Sequence, residues 1–286
     1  MLQVQPLTAT IGAELGGVDL REPLREDEVE VITEALGRHQ VLFFREQSMS
    51  AEQQVSFARR FGEIDLPLFR TTSSPVPEVL ILDQVAPKGE GADSWHADNT
   101  YMETPPMASI LQALHLPSIG GDTCFASMGA AYDGLSPAMR SFLDGLTAVH
   151  SLSLMVERTR HLDNVSLRDQ AERWPPVVHP VVRVHPETGR RMLNVNANWT
   201  SHIVELQPDE SRALLTFLFQ HLQSPSFQVR FRWEEGSVAF WDNRAVQHFA
   251  VPDYAERRVM QRVTLTGDRP VGVERGPGVQ PAMSGR

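Results

Sequence analysis

From about residue 78 onward the apolar residues of this chain arrive in short β-forming runs: "EVLILDQ", "SILQALHL", "DTCFAS", "HPVVRVHP", "RMLNVN", "QVRFRW", "SVAFWD" and "RRVMQRVTL". Gly, Pro, Asn and Asp separate them, and runs of this length with this punctuation build antiparallel sheets rather than helical bundles or βαβ units. Turn-forming residues at "HPETGRR" (185–191) and "EEGS" (234–237) predict two hairpins. Two helices interrupt the strands. One starts at Ser136 and Pro137, a cap and first-turn pair, and the other is "DESRALLTFLFQHLQ", where Leu214, Leu215, Phe217, Leu218 and Leu222 form an apolar face.

Ahead of the strands, a helix is expected over about 26–38. The strand "HQVLFF" follows, and then a short helix in "SAEQQVSFARRF", where Ser50 and Gln53 stand in capping-box spacing. The expectation is a mainly β chain, a jelly-roll sandwich with helices packed outside. A single domain is expected over residues 1–272, long enough to bury a sizeable core. The stretch 152–176 is polar and irregular, a candidate lid, and the Gly- and Pro-rich 273–286 reads as a flexible tail.

Charge and composition narrow the function. A formal charge of -10 opposes the phosphate neutralisation on which nucleic-acid affinity depends, so the expected partner is a small molecule and not a nucleic acid. No apolar run suits a membrane span and no secretory signal opens the chain, which places it in the cytoplasm with no membrane partner. Cys124 stands alone, so a metal would be held by His, Asp or Glu.

A His-x-Asp/Glu pattern occurs three times, where roughly one is expected by chance. His161 with Asp163 lies in the polar connection, and His185 with Glu187 falls in a Pro- and Gly-bearing turn. His96 and Asp98, in "SWHADNTYM", read as a strand whose alternate side chains share a face. A facial triad of two histidines and one carboxylate suits ferrous iron and leaves positions open for a co-substrate and dioxygen, so one more histidine is needed. His248, in "VAFWDNRAVQHFAVPDY", is best placed, with His150, His179 and His202 as alternatives.

On "RRVMQRVTL", Arg258, Met260 and Arg262 share one face. If that face is inward, two guanidinium groups require two anions, because an unpaired buried charge is strongly destabilising. Outward-facing surface arginines are the alternative.

Taken together, "WHADNTYMETPP", "GGDTCFAS", "WDNRAVQH" and "RRVMQRVTLTGDRP" resemble the taurine dioxygenase family of iron(II)- and 2-oxoglutarate-dependent dioxygenases, with a likeness running from about residue 3 to 272. The resemblance implies a double-stranded β-helix core with Fe(II) held by His96, Asp98 and His248. It implies that Thr123 and Arg258 bind the distal carboxylate of 2-oxoglutarate, and that Arg262 faces the acid group of the prime substrate. The implied reaction consumes O2 and 2-oxoglutarate, yields succinate and CO2, and hydroxylates a carbon. Related halogenating enzymes lack the carboxylate, so Asp98 implies hydroxylation. Hydroxylation next to a heteroatom gives a product that fragments to a carbonyl compound.

By the same alignment Asn99, Tyr101, Leu66, Phe69, Leu152 and Trp199 line the substrate pocket, with ordinary core packing as the alternative. Taurine-using members carry a sulfonate-holding histidine in the loop where this chain has Leu66 and Phe69, which points away from taurine itself. An apolar wall opposite Arg262 suits a small organic acid: an alkyl sulfonate, an alkyl sulfate ester or an aryloxyalkanoate (phenoxy acid), with a natural-product hydroxylase as a further alternative. The implied assembly is a homo-oligomer, dimer or tetramer. The non-enzyme alternative is a jelly-roll binding module in which the motif is accidental.

Overall fold

The computed structural model describes residues 2–67, 74–85, 93–159 and 165–274, with the backbone alone at 165–167. The chain opens with β1 (Gln3–Pro6), β2 (Ala13–Gly16), α1 (Glu26–His39), β3 (Val41–Phe44), α2 (Ala51–Ala58), β4 (Ile64–Asp65) and β5 (Leu80–Val85). The central part contains β6 (Ala108–His115), β7 (Thr123–Ser127), α3 (Met128–Asp133), α4 (Pro137–Leu143), β8 (Thr147–His150), α5 (Ser153–Arg158) and α6 (Val165–Arg173). The remainder is β9 (Val177–Pro180), β10 (Val182–Val184), β11 (Arg191–Leu193), β12 (Thr200–Ile203), α7 (Pro208–His221), β13 (Gln228–Phe231), β14 (Val238–Asp242), β15 (Val246–Ala250) and β16 (Arg257–Leu265).

A large sheet runs β1-β2-β3-β14-β6-β16-β4, with β5 also paired to β16; a smaller sheet runs β13-β7-β15. The period-2 alternation of the large sheet divides its side chains between two cores. Val41 and Phe43, Leu111 and Ala113, Ala239 and Trp241 face the smaller sheet, while Leu42 and Phe44, Ile110, Val238 and Phe240 face α1 and α2. Phe43 stacks on Phe231 at 3.9 Å between ring centroids and meets Phe125 edge-on at 5.6 Å, closing the two sheets into the expected jelly roll.

The expected capping box holds α2: the Gln53 N–H donates to Ser50 Oγ and the Ser50 N–H donates to Gln53 Oε1. Ser136 caps α4 through the Met139 N–H. On α7, Leu215, Leu218 and Leu222 are buried, but Phe217 is exposed. "HPETGRR" forms the expected hairpin between β10 and β11, with Gly189 at φ 66°. "EEGS" does not. It carries the chain from β13 in the small sheet to β14 in the large one, since its turn residues encode a reversal but not the partner of the next strand. Within the candidate lid, 153–158 and 165–173 are helical rather than irregular.

Candidate metal centre

His96 and His248 are brought together by a backbone bridge. The His96 N–H donates to the His248 carbonyl at 3.1 Å, and the reverse bond is 2.8 Å. This adds the loop before His96 to the edge of the small sheet at β15. Contrary to the strand expected for "SWHADNTYM", only His96 has β pairing; a turn follows, with Asn99 in the left-handed region at φ 51°. The turn carries Asp98 to the imidazoles, and the contacts that fix it are distant in sequence. His96 Nε2 lies 3.7 Å and His248 Nε2 3.8 Å from Asp98 Oδ1, with all three residues buried.

The donor set is in the state that binds a cation. His96 Nδ1 lies 2.7 Å from the Ser94 carbonyl, an obligate acceptor, so Nδ1 carries the proton and Nε2 presents its lone pair. Burial pushes the imidazolium form of His96 down in pKa, and burial together with His96 pushes His248 down to about 3. Burial opposes the charge of Asp98, yet Arg262, His248, His96 and the Ser109 hydroxyl outweigh it and hold its carboxyl at about 2. Two neutral imidazoles and one carboxylate match a facial triad for a divalent metal.

Arg258 and Arg262 project inward from β16, with Met260 between them in the core. Arg258 is buried, and its Nε and Nη2 have no protein partner. Burial pulls its pKa down. Its guanidinium carbon lies 6.0 Å from the ring centroids of both Trp233 and Tyr254. Trp233 Nε1–H donates to Thr123 Oγ1 at 3.0 Å, joining the two residues assigned to 2-oxoglutarate. At Gly121, φ is +74° and a Cβ would approach Arg258 Cδ to 3.2 Å and Nε to 3.3 Å, so glycine makes room for the guanidinium. A buried arginine whose donors lack partners is suited to bind a carboxylate.

Arg262 Nη1 is 3.5 Å from Asp98 Oδ1, and its buried Nε has no protein partner. A cavity of about 50 Å³ is lined by Arg262, Asn99 and Leu66 together with Asp65, Pro67, Leu80 and Thr264. Leu66 is 54% exposed. Tyr101, Leu152 and Trp199 are buried and pack together with Met155 of α5, and they do not line that cavity. The Tyr101 hydroxyl is buried without a partner. Phe69, His161 and Asp163 lie outside the described residues.

The other histidines are elsewhere. His150 Nδ1 is 2.9 Å from Thr100 Oγ1, His179 bonds the Met102 carbonyl at 2.9 Å, and His202 sits against Ser201. His185, Glu187 and Asp242 also cluster, but Arg244 occupies both carboxylates, at 2.6 Å each, and His185 Nε2 contacts Asp242 at 2.9 Å. That second cluster is an ion-pair network.

Residues 3–264 match the model of the family described as "Taurine catabolism dioxygenase TauD, TfdA family". The chain belongs to this family. It is 40% identical over 281 residues to the α-ketoglutarate-dependent sulfate ester dioxygenase of Pseudomonas putida, covering 96% of this chain and 92% of that protein. An alkylsulfatase of Acinetobacter baylyi is 36% identical, covering 95% and 87%. The crystal structure of a taurine dioxygenase from Burkholderia xenovorans superposes with a TM-score of 0.82 at 42% identity, covering 95% and 93%. The chain is accordingly an α-ketoglutarate-dependent dioxygenase, an oxidoreductase that uses 2-oxoglutarate and O2.

Three residues around the candidate metal centre escape a reading of the sequence: Trp233, Ser109 and Asn243. Ser109 Oγ–H donates to Asp98 Oδ2 at 3.1 Å. Asn243 accepts the Asp98 N–H at 2.7 Å and donates to the Asp98 carbonyl at 3.0 Å. The one signal in the sequence is the polar pair "DN" ending the apolar run "SVAFW", a position where a side chain facing the core needs a partner. No helix among the described residues is long and apolar enough to cross a membrane.

Proposed function

We propose that this dioxygenase binds Fe(II) through His96, Asp98 and His248, and oxidises a small alkyl sulfate ester at the carbon that bears the ester oxygen. Support for the metal comes from the convergence of two imidazole nitrogens and one carboxylate oxygen, all within 4.8 Å of one another, in a buried site. Support for the substrate class comes from the sulfate ester dioxygenase relative and from Arg262, the second inward guanidinium. A sulfonate is the neighbouring class.

Iron held by His96, Asp98 and His248 would, with 2-oxoglutarate and O2, supply the oxidation, in which the co-substrate would go to succinate and CO2 and one oxygen atom into a C–H bond. The protein supplies placement. Arg258 and Thr123 hold the distal carboxylate of 2-oxoglutarate, with Trp233 orienting the Thr123 hydroxyl. Arg262 holds the sulfate group, which fixes the distance between the anionic head and the carbon attacked. Tyr101, Leu152 and Trp199 supply an apolar surface beside it, and α5 with α6 covers that surface as a lid. The hydroxylated carbon carries a sulfate leaving group, so its O–H proton is lost, the C–O bond to sulfate breaks, and an aldehyde and inorganic sulfate result. Residues 1–272 act as one domain, and Asn99 and Leu66 border the anionic head.

Anaerobic addition of Fe(II) and 2-oxoglutarate should produce a visible charge-transfer band, and its absence would remove the metal assignment. Succinate formation across alkyl sulfates, alkyl sulfonates and aryloxy acids should be fastest with alkyl sulfates and should fall in Arg262→Ala. Equal turnover of substrates that lack an acid group would remove the role given to Arg262.

A further inference from the structure

Asp98 has two carboxylate oxygens, and the protein treats them differently. Oδ1 faces His96 Nε2 at 3.7 Å, His248 Nε2 at 3.8 Å and Arg262 Nη1 at 3.5 Å. Oδ2 accepts the hydroxyl proton of Ser109 at 3.1 Å. Ser109 is fully buried on β6, in the large sheet, with its register set by Trp241 and Thr264 on either side. It is a rigid donor. The backbone of Asp98 is held as firmly, because the Asn243 side chain accepts its N–H at 2.7 Å and donates to its carbonyl at 3.0 Å and to that of Pro106 at 3.1 Å.

Asn243 is itself anchored from behind. It sits in the turn from β14 to β15, where the Arg244 N–H donates to Asp242 Oδ1 at 2.8 Å and the Arg244 side chain bonds both Asp242 and Glu187. The turn therefore joins the large sheet, the small sheet and the Asp98 loop.

We infer that Ser109 and Asn243 are positioning residues for the metal centre: Ser109 occupies Oδ2 so that Asp98 offers a single oxygen, Oδ1, toward the two imidazoles, and Asn243 fixes the backbone from which that oxygen projects. The inference rests on the reading that His96, Asp98 and His248 hold the metal. A carboxylate confined to one oxygen leaves more of the coordination sphere to co-substrate and O2 than one free to bind through both. Partners of ligating carboxylates typically carry about 10- to 100-fold in metal affinity.

The test is Co(II) binding to the full chain without 2-oxoglutarate, followed by calorimetric titration and by the visible ligand-field spectrum, for wild type, Ser109→Ala, Ser109→Thr and Asn243→Ala. Metal-free thermal unfolding is measured alongside. The expected result is about a 10- to 100-fold weaker Kd in Ser109→Ala, with an altered cobalt spectrum and an unchanged metal-free melting temperature. Ser109→Thr, which keeps the hydroxyl, should retain the wild-type spectrum. Asn243→Ala should weaken binding without altering the spectrum of the saturated site.

Unchanged cobalt affinity and spectrum in Ser109→Ala would overturn the inference. So would a loss of affinity matched by a loss of metal-free stability, which would make the role structural. Failure of the wild type to bind Co(II) would overturn the metal-centre reading itself, and the inference with it.

Discussion

Trp233 donates its indole N–H to Thr123 Oγ1 at 3.0 Å while its ring lies 6.0 Å from the guanidinium of Arg258. One side chain thus orients both groups assigned to the distal carboxylate of 2-oxoglutarate. Trp233→Phe keeps the ring and removes the donor, freeing the hydroxyl to rotate. A hydrogen bond of this kind contributes about 1 kcal/mol net, so KM for 2-oxoglutarate should rise about fivefold. Titration of Fe(II) alone should be unaffected. An unchanged KM would show that the indole donor does not serve 2-oxoglutarate binding.

Arg258 presents the opposite situation, a buried charge with nitrogens that the fold leaves without partners. Two of its nitrogens are buried without protein partners, and burial lowers its pKa. Replacing such a group with an apolar side chain of similar length removes a desolvation cost. Arg258→Met should therefore raise the stability of the ligand-free chain by on the order of 1 kcal/mol while abolishing the charge-transfer band at moderate 2-oxoglutarate concentration. A destabilised variant in urea would mean that Arg258 is satisfied within the fold.

How far the sequence revealed this arrangement depends on how local each determinant is. That Arg258 and Arg262 share a face is legible because strand alternation is a property of consecutive residues, and β16 follows it; that the face points inward is decided by the packing of the sheet. His248 stands out in the sequence by its place between a strongly β segment and the arginine-bearing strand, and it lies at the centre of β15. His96 and Asp98 lie together, but not as alternate residues of one strand: Asp98 reaches the imidazoles through a turn braced by Asn243, 145 residues away in sequence, and by Trp199, whose indole N–H donates to the Ala97 carbonyl. Ser109 looked like one more residue of a buried strand, and nothing nearby marks its acceptor. "EEGS" shows the same limit at the level of topology, since the sheet that receives β14 is decided by β3 and β6.

Arg244 tests the anchoring of that turn. Burial opposes the charge of Asp242, but hydrogen bonds from His185 and Arg244 keep its carboxyl far below the usual range. Arg244→Ala removes the guanidinium that pairs with the buried Asp242 carboxylate, and breaking a buried pair costs about 3 to 5 kcal/mol. The urea midpoint should fall accordingly, and Co(II) affinity should fall with it because Asn243 is the next residue. Glu187→Ala, at the exposed end of the network, should cost much less. Equal losses from the two substitutions would show that the buried pair with Asp242 carries no special weight.

Part of the acid sensitivity should arise at His150, alongside the contribution of His248, whose pKa is lowered as far. Burial first, and the neighbouring His179 second, hold its pKa at about 3, against about 6.5 for an unstrained imidazole. The rings lie 5.1 Å apart, and His150 sits against Thr100, two residues beyond Asp98. The folded state binds this proton less readily than the unfolded one. Its contribution to stability is therefore fully present above pH ~6.5 and is lost as pH falls toward about 3, by up to ~1.4 kcal/mol per pH unit. Urea midpoints of the metal-free protein at pH 7 and pH 5 should differ clearly in wild type. The difference should shrink in His150→Gln, which cannot titrate in this range but keeps hydrogen-bonding capacity toward Thr100. Parallel pH profiles for the two proteins would place the acid sensitivity elsewhere.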